Sequence, residues 1–198
     1  LVGSRPEQKS AKGFRGHVGA LREGRITSGM VKIAGVGASG LVASALLQAG
    51  AGAAGRARAG AAGRIGEVLL GAGVIAGTAN LVNLLDLRPG RALKAGLIIG
   101  APLLPGAAGG LVAGPAGAAG ALLREDLGER IMLGDAGANA LGALLGVALA
   151  ARTGPVGRAA ALAAIAGLTA ASEKVSFTKV IEATPGLREL DALGRRRG

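Results

Sequence analysis

"IGEVLLGAGVIAGTANLVNL", residues 65–84, is a run of 20 residues whose only charged side chain is Glu67. A helix of about 20 mostly apolar residues is long enough to cross the hydrocarbon core of a bilayer. Polar side chains close the run, since Asn80 and Asn83 lie in its last turns and Asp86 follows them. The stretch therefore predicts a membrane-spanning helix that ends in a polar stripe.

Similar apolar segments recur along the chain. They are residues 29–50, a stretch from 92 to 123, residues 131–151 and residues 157–172. The stretch from 92 to 123 is too long for one span, and Pro102 and Pro105 interrupt it, so we divide it at 101–110 into a hairpin of two spans. The sequence thus predicts an all-α, polytopic membrane helix bundle of about six transmembrane helices.

The distribution of basic residues predicts the orientation of this bundle. Of the 23 Lys and Arg residues, five fall in the external segments 51–64 and 152–158, and 18 fall in segments that we assign to the cytoplasm, 1–32, 87–94, 124–130 and 173–198, as the positive-inside rule requires. We therefore treat the chain as a single membrane domain. It comprises residues 1–198, with a cytoplasmic N-terminal segment 1–28, a six-helix bundle 29–172 and a cytoplasmic basic tail 173–198.

Composition excludes several classes of protein. With 50% hydrophobic residues the chain is too apolar for an ordinary soluble domain. Aromatic residues make up 1%, which argues against base-stacking nucleic-acid modules, and the net charge of +11 is explained by cytoplasmic loops that face anionic lipid. The absence of cysteine excludes disulfides and thiol chemistry. The spans are rich in small residues, and Gly71, Gly73 and Gly77 are expected to let helices approach closely.

The polar stripe has two interpretations. Asn80, Asn83 and Asp86 are spaced i, i+3 and i+6, so on a helix they share one broad stripe and can face the bundle interior together. They could cap the helix and reach the membrane interface. They could equally form part of a functional site, because polar groups in a membrane are expensive and commonly functional.

A second polar cluster, "MLGDAGANALG" at residues 132–142, opens the fifth predicted span. Asp135 lies between Gly134 and Gly137, whose lack of a side chain would let backbone come close to a ligand. Asp135 could be a simple helix cap. A helix N-terminus also favours a phosphate group, and Asn139 lies one turn further into the same helix.

The predicted topology brings the two clusters to the same side of the membrane. Asp86 and Asp135 both fall on the cytoplasmic face, and Mg²⁺ prefers carboxylates and water together with substrate phosphates. Basic residues accompany them in the cytoplasmic loops: Arg88, Arg91, Lys94, Arg124 and Arg130. We therefore predict a site for Mg²⁺ and a diphosphate, although the basic residues alone could serve only as topology signals.

The two ends of the chain carry weaker candidates. His17 is the only histidine, so a site built from several histidines is excluded, and His17 is either solvated or a contact for phosphate. Near the other end, apolar residues alternate with charges over 175–181 before Pro185. This pattern predicts a short interfacial helix or strand, a turn, and a basic tail on anionic lipid.

The two clusters, in this order and on consecutive cytoplasmic positions, resemble motifs of the polyprenyl-phosphate N-acetylhexosamine-1-phosphate transferase family. This membrane glycosyltransferase family includes the phospho-MurNAc-pentapeptide transferases. Its members transfer a sugar phosphate from a UDP-sugar to polyprenyl phosphate and release UMP with the help of Mg²⁺. The family has ten spans and three acidic cytoplasmic motifs, so the resemblance implies that this chain is a partial version of a ten-span fold.

The resemblance can be followed residue by residue. Asn80, Asn83 and Asp86 match the family's second motif, Asn-x-x-Asn-x-x-Asp-Gly-x-Asp-Gly; Leu87 replaces its first Gly, Pro89 replaces its second Asp, and Gly90 matches. Gly134, Asp135, Gly137, Leu141 and Gly142 match the third motif region, in which Ala138 replaces a Ser. The first motif, an Asp-Asp pair, would precede Leu1. We therefore expect an N-terminally truncated member, inactive as these 198 residues alone.

The resemblance implies roles for the candidate residues. Asp86 and Asp135 are the expected catalytic residues and Mg²⁺ ligands, with substrate binding by Asn80, Asn83, Arg88, Arg91, His17 and Asn139. The implied partners are a UDP-N-acetylhexosamine, polyprenyl phosphate and the membrane, with no nucleic acid, and a homodimer stays open. The implied location is the bacterial inner membrane, multi-pass, with the active face cytoplasmic.

Two alternatives to this enzyme stay open. A catalytically inactive paralogue could keep the fold and act as a structural or regulatory membrane protein in envelope assembly, which the replacements at Leu87, Pro89 and Ala138 favour. A small-solute transporter would place acids near the middle of the bilayer, whereas Asp86 and Asp135 are predicted at the ends of spans.

Overall fold

A computed structural model describes residues 28–50, 60–106 and 108–195, and in this part of the chain all regular structure is helical. The helices are α1 Ser28–Gly50, α2 Ala61–Leu85, α3 Arg91–Gly100, α4 Gly109–Leu127, α5 Gly134–Arg152, α6 Pro155–Ser172, α7 Phe177–Ala183 and α8 Leu187–Ala192. A 3-10 turn, Ala101–Leu103, follows α3. The predicted all-α class is confirmed for the described residues, and the predicted break between the third and fourth segments falls between α3 and α4.

Four helices of the described residues, α1, α2, α5 and α6, are long and apolar enough to cross a membrane. In α1 and α6 only 11% of the hydrophobic window is buried inside the protein, so their apolar side chains face outward. An outward apolar face is what a bilayer accepts, and the finding supports a helical membrane bundle. The ten residues of α3 rise only about 15 Å, so the number of six spans stays a prediction.

The centre of the bundle is α2, which packs against α1, α5 and α6. Val74, Ile75, Ala79 and Val82 of α2 are buried. The predicted role of the small residues is confirmed: Gly71 lies against Ser44 of α1, whereas Gly73 and Gly77 lie against Leu162 and Ile165 of α6. The glycines of α2 therefore let both α1 and α6 approach it closely.

Helices α2 and α5 approach closely enough for their backbones to touch. A Cβ atom on Gly142 would lie 2.6 Å from the Cα of Ala79, and one on Gly146 would lie 2.7 Å from the Cα of Ile75. Neither position has room for a side chain, so the two backbones are in direct contact along one helical turn of α5. This contact brings the C-terminal end of α2 to the N-terminal end of α5.

The last two helices, α7 and α8, fold back on the start of α3. Arg91 of α3 pairs with Asp191 of α8, and Lys94 donates to carbonyl oxygens at the end of α8. The interfacial segment predicted after the last span is thus helical, with its turn at Pro185 between α7 and α8. Residues 196–198 lie outside the described residues.

Candidate functional site

The two polar clusters of the sequence meet in the structure. Asp86 caps the C-terminal end of α2 and is 8% exposed. The backbone N–H of Gly134, the first residue of α5, lies near the Asp86 carboxyl group and lowers the pKa of that group. Gly134 has φ +68, a left-handed conformation that other residues rarely adopt, and no neighbour crowds its missing Cβ. The Gly-Asp pair of the third motif thus has a conformational reason for its glycine.

Several acids surround the Asp86 carboxyl. Burial raises the pKa of this carboxyl, and the negative charges of Asp126 and Asp135 raise it further, whereas the nearby backbone N–H of Gly134 lowers it. Asp86 is therefore a carboxylate that the fold holds in an unfavourable environment. Carboxyl groups with a pKa shifted by burial and neighbouring charges are common at functional sites.

The substitution Asp86→Asn is expected to raise the thermal stability of the protein at neutral pH. Because the folded pKa is raised, Asp86 favours the folded state while protonated, and this contribution is lost as pH rises through the raised value. An asparagine removes that loss and has nearly the same size. The gain in melting temperature should shrink at acidic pH, as pH falls through the raised pKa of Asp86.

Thermal unfolding in detergent at both pH values measures this effect. The matched control is Glu125→Gln, because Glu125 is hydrogen-bonded to Arg130, which lowers the pKa of its carboxyl. Its substitution should leave stability at neutral pH unchanged or slightly lower. A melting temperature that falls in Asp86→Asn at neutral pH would contradict the expectation.

A cavity of about 510 Å³ opens beside the end of α2. Asn80 and Asn83 of α2, Asn139 of α5 and Lys32 of α1 line it together with residues from the end of α6. The predicted stripe therefore divides: its two asparagines line this cavity, whereas Asp86 lies beyond the helix end and is buried. The cavity places four helix ends on one side of the bundle, which we call the polar end.

Asp135 lies at the polar end and is exposed. Its carboxylate forms an ion pair of 2.7 Å with the Lys32 ammonium. The side-chain amide of Asn139 donates to the backbone oxygen of Asp135 at 2.7 Å. Asp135 thus stays accessible in the first turn of α5, where the helix dipole stabilises a negative charge.

A long groove runs from this ion pair along α1 and α5. It has a volume of about 600 Å³ and shares Lys32, Val36 and Asn139 with the first cavity. Its walls are mostly apolar, with residues such as Ala43, Leu144 and Val147, and Lys32 and Asp135 are its charged lining residues. The groove can accept an apolar chain with a charged head at the polar end.

Two arginines predicted to bind substrate make other contacts. Arg91 is 4% exposed, and its guanidinium is held by Asp191 and Thr178. Arg88 pairs with Glu182 at 2.7 Å and remains about half exposed. Neither arginine lines the cavity of the asparagines, and His17 lies outside the described residues.

Asp126 is a site residue that the sequence analysis did not identify. It is 4% exposed, and its Oδ2 atom accepts a hydrogen bond of 2.6 Å from the backbone N–H of Gly90. It thereby fixes the turn that follows Asp86. The only available signal was an acid two residues after Arg124, in a segment predicted to be cytoplasmic, and such charges are usually solvated.

Lys32 is a second residue of the site that was not predicted from the sequence. Its charge was interpreted only as a topology signal, whereas in the structure Lys32 lines both cavities and pairs with Asp135. Its position near the start of an apolar helix is typical of a snorkelling lysine, so nothing local distinguished it.

The acids fit a magnesium ion in part. Among the described residues, no group of three or more His, Asp and Glu side chains is arranged to hold a metal ion. Mg²⁺, however, often binds through one or two carboxylates, with water and substrate phosphates completing its ligands. The neighbouring acids raise the pKa of Asp86, and a divalent cation would relieve that repulsion. Asp86 and Asp135 therefore suit a metal that arrives with a phosphorylated substrate.

Comparisons with known proteins identify no relative: no protein-family model, curated protein or solved structure matches this chain. The resemblance to a transferase family thus rests on the two motifs and on their arrangement.

Proposed function

We propose that this chain belongs to a membrane enzyme that transfers an N-acetylhexosamine-1-phosphate from a UDP-sugar to polyprenyl phosphate in cell-envelope glycan synthesis. One observation carries the proposal: Asp86 of the second motif lies close enough to Gly134 and Asp135 of the third for both to shift the pKa of its carboxyl. Asp86 and Gly134 are 48 positions apart in the sequence, and the packing of α5 on α2 brings the two motifs together at the polar end. The polar cavity and the apolar groove beside them suit a polar donor and a lipid acceptor.

The chemistry is the displacement of one phosphate oxygen by another. An oxygen of polyprenyl phosphate attacks the β-phosphorus of the UDP-sugar, the bond from that phosphorus to the bridging oxygen breaks, and UMP leaves with the electron pair. Mg²⁺, when bound by Asp86 and Asp135, supplies positive charge that neutralises the diphosphate. Such transfers depend mainly on positioning and electrostatic stabilisation.

Protein side chains would position the two substrates. The amides of Asn80, Asn83 and Asn139 line the polar cavity and offer donors and acceptors to a nucleotide-sugar. The apolar groove between α1 and α5 would hold the polyprenyl chain, and Lys32 at its polar end would bind the lipid phosphate. Asp135, which pairs with Lys32 in the structure, would be one of the residues that could hold the metal.

The proposal also includes the finer topology. We propose six spans in a bacterial inner membrane with the polar end in the cytoplasm, where UDP-sugars are made. The excess of Lys and Arg in the segments on that side supports this orientation.

Release of UMP tests the proposal. The natural protein in detergent or vesicles is given Mg²⁺, polyprenyl phosphate and a series of UDP-sugars that begins with UDP-GlcNAc. We expect UMP release that requires both the lipid and the metal, with chelation abolishing it. If no UDP-sugar gives UMP release, the proposed enzymatic activity is wrong and the inactive paralogue is favoured.

One structural observation favours that second candidate. Arg88 and Arg91 are engaged with Glu182 and Asp191, and Pro89 stands where the family has an acid. A structural paralogue would need no free cation at this position. The same UMP measurement separates the two candidates.

The substitution Lys32→Gln is expected to raise the KM for polyprenyl phosphate about tenfold, because a hydrogen bond to a charged group contributes roughly 1.5–3 kcal/mol. The Lys32–Asp135 pair is exposed, so stability should change by less than about 1 kcal/mol. The matched control is Lys179→Gln, which removes a cation from α7 that lines neither cavity. An unchanged KM for the lipid in Lys32→Gln would remove Lys32 from the proposed site.

A further inference from the structure

The start of α3 is tied to the C-terminal segment, residues 177–195, by a buried ion pair. Arg91 donates from Nε and Nη2 to the two carboxylate oxygens of Asp191, at 2.7 and 2.9 Å, and from Nη1 to the Thr178 hydroxyl at 2.8 Å. Arg91 and Asp191 are 4% and 9% exposed. The arginine thus uses the bidentate geometry in which it binds carboxylates most strongly.

A lysine one helical turn later reinforces this contact. The Nζ atom of Lys94 donates to the backbone oxygens of Leu190, Asp191 and Leu193 at 2.9, 2.8 and 2.8 Å. These carbonyls lie at the C-terminal end of α8, where the last carbonyls of a helix lack the usual intrahelical partners, although that of Leu190 also accepts from the Leu193 N–H. The positive charge also suits the negative end of the helix dipole.

Apolar packing contributes less to this docking. Ile181, Leu187 and Leu190 face α3 across an apolar cavity of about 210 Å³, so the contact is not closely packed. Leu187, Leu190 and Leu193 remain 45%, 40% and 66% exposed. The docked position of the segment therefore depends mainly on its polar contacts with Arg91 and Lys94.

The docked segment also touches the turn that carries Asp86. The Nε atom of Arg195 donates to the backbone oxygen of Pro89 at 3.1 Å. Leu127 of α4 lies against both Gly90 and Gly194, and so joins the turn to the segment. Residues 86–90 are thus held from one side by Asp126 and from the other by the C-terminal segment.

We infer that Arg91 and Asp191 form a positioning pair: docking of residues 177–195 through this pair fixes the turn 86–90 and thereby the place of Asp86 against the start of α5. The effect on turnover rests on the proposed function. The structural effect, a displacement of the turn when the segment is released, does not.

Two variants weaken the docking. Asp191→Asn removes one charge, and the double variant Arg91→Gln with Asp191→Asn removes both charges of the pair, so that Arg91 does not stay buried without a partner. Arg195, which also pairs with Asp191 at 2.7 Å, keeps its charge in both variants. The matched control is Glu189→Gln in the same helix, because Glu189 is exposed and its amide replacement can still accept the hydrogen bond from the Gly186 N–H.

Spin labels measure the structural effect without any activity. The chain has no cysteine, so pairs of single cysteines can be labelled selectively in the full protein. Labels at Leu87 and Leu193, both exposed, report docking of the segment. Labels at Leu87 and Met132, which flank the cavity beside Asp86, report the position of the turn.

We expect the dipolar broadening between positions 87 and 193 to be lost in both variants and that between 87 and 132 to change, with the control unaltered. Turnover should fall about 10²-fold in kcat, as a small misplacement of a reacting group can cause, with KM within about twofold. A segment that stays docked, or a turn that keeps its position after release, overturns the inference. Released segments with normal kcat overturn the positioning role. If the natural protein releases no UMP, the proposed function fails, and the two spin-label pairs still decide the inference.

Discussion

The substitution Asp135→Asn is expected to lower the rate of UMP release at least about 10²-fold, the cost of removing one preorganised group that stabilises charge in a transition state. Asp135 is exposed at the first turn of α5, close enough to Asp86 for its charge to raise the pKa of that carboxyl. Asparagine has nearly the same size and keeps an oxygen, but it removes the negative charge that would bind Mg²⁺. We therefore expect a loss in kcat that added Mg²⁺ restores only in part.

Stability should hardly change in this variant. The loss of a charge near the helix N-terminus costs roughly 0.3–1 kcal/mol, and the ion pair with Lys32 is exposed. The matched control is Glu125→Gln, which removes an exposed carboxylate that lines none of the cavities at the polar end. Activity of Asp135→Asn within about twofold of the natural protein would exclude Asp135 from the chemistry.

The substitution Gly142→Leu is expected to cause the largest structural effect, because it inserts a side chain at the closest contact between α2 and α5. Even a Cβ atom at this position would lie 2.6 Å from the backbone oxygen of Thr78, so the two helices must separate. Overpacking of a core costs typically about 1–3 kcal/mol, and here backbone atoms, which cannot change rotamer, stand in the way. The separation would also pull the Gly134 N–H away from Asp86, so activity should be lost with stability.

Retention of the monodisperse protein after heating in detergent measures this loss of stability. Gly114→Leu in α4 is the control, since no atom lies within 4 Å of the Cβ position of Gly114 and the helix surface there is exposed. Leucine also forms helices better than glycine, so the control should be as stable as the natural protein or more so. Equal stability of the two variants would mean that α2 and α5 do not pack as described.

Local patterns predicted the helices and their breaks because each depends on neighbouring residues. The apolar run 65–84 became α2, and the prolines at 102 and 105 mark the end of α3 and the loop after it. The spacing of Asn80 and Asn83 predicted a shared stripe, and both residues line one cavity, which Asp86 does not join. The helix span count could not be settled in this way, since α3 is short and α4 ends in charged residues.

The partners of the charged residues were not predictable in the same way. Arg91 was interpreted as a phosphate contact, whereas in the structure its guanidinium pairs with Asp191, 100 residues later in the sequence. Asp126 and Lys32 looked like ordinary solvated charges. In the structure, however, Asp126 is buried and accepts a hydrogen bond from the Gly90 N–H, and Lys32 pairs with Asp135. Sequence patterns report the sign of a charge and its rough depth, but they do not report which distant group reaches it.

The sequence by itself determined that this is an apolar helical protein, with its polar clusters at one end and an asymmetric distribution of basic residues. Hydrophobic run length and charge asymmetry are properties of single segments, and a bilayer responds to them segment by segment. Only the tertiary structure decided that Asp86 meets Gly134, that Asp126 holds the turn after Asp86, and that Arg91 binds the C-terminal segment. These contacts depend on how closely the glycines of α5 let two backbones approach, and that distance is fixed by the packing of the whole bundle.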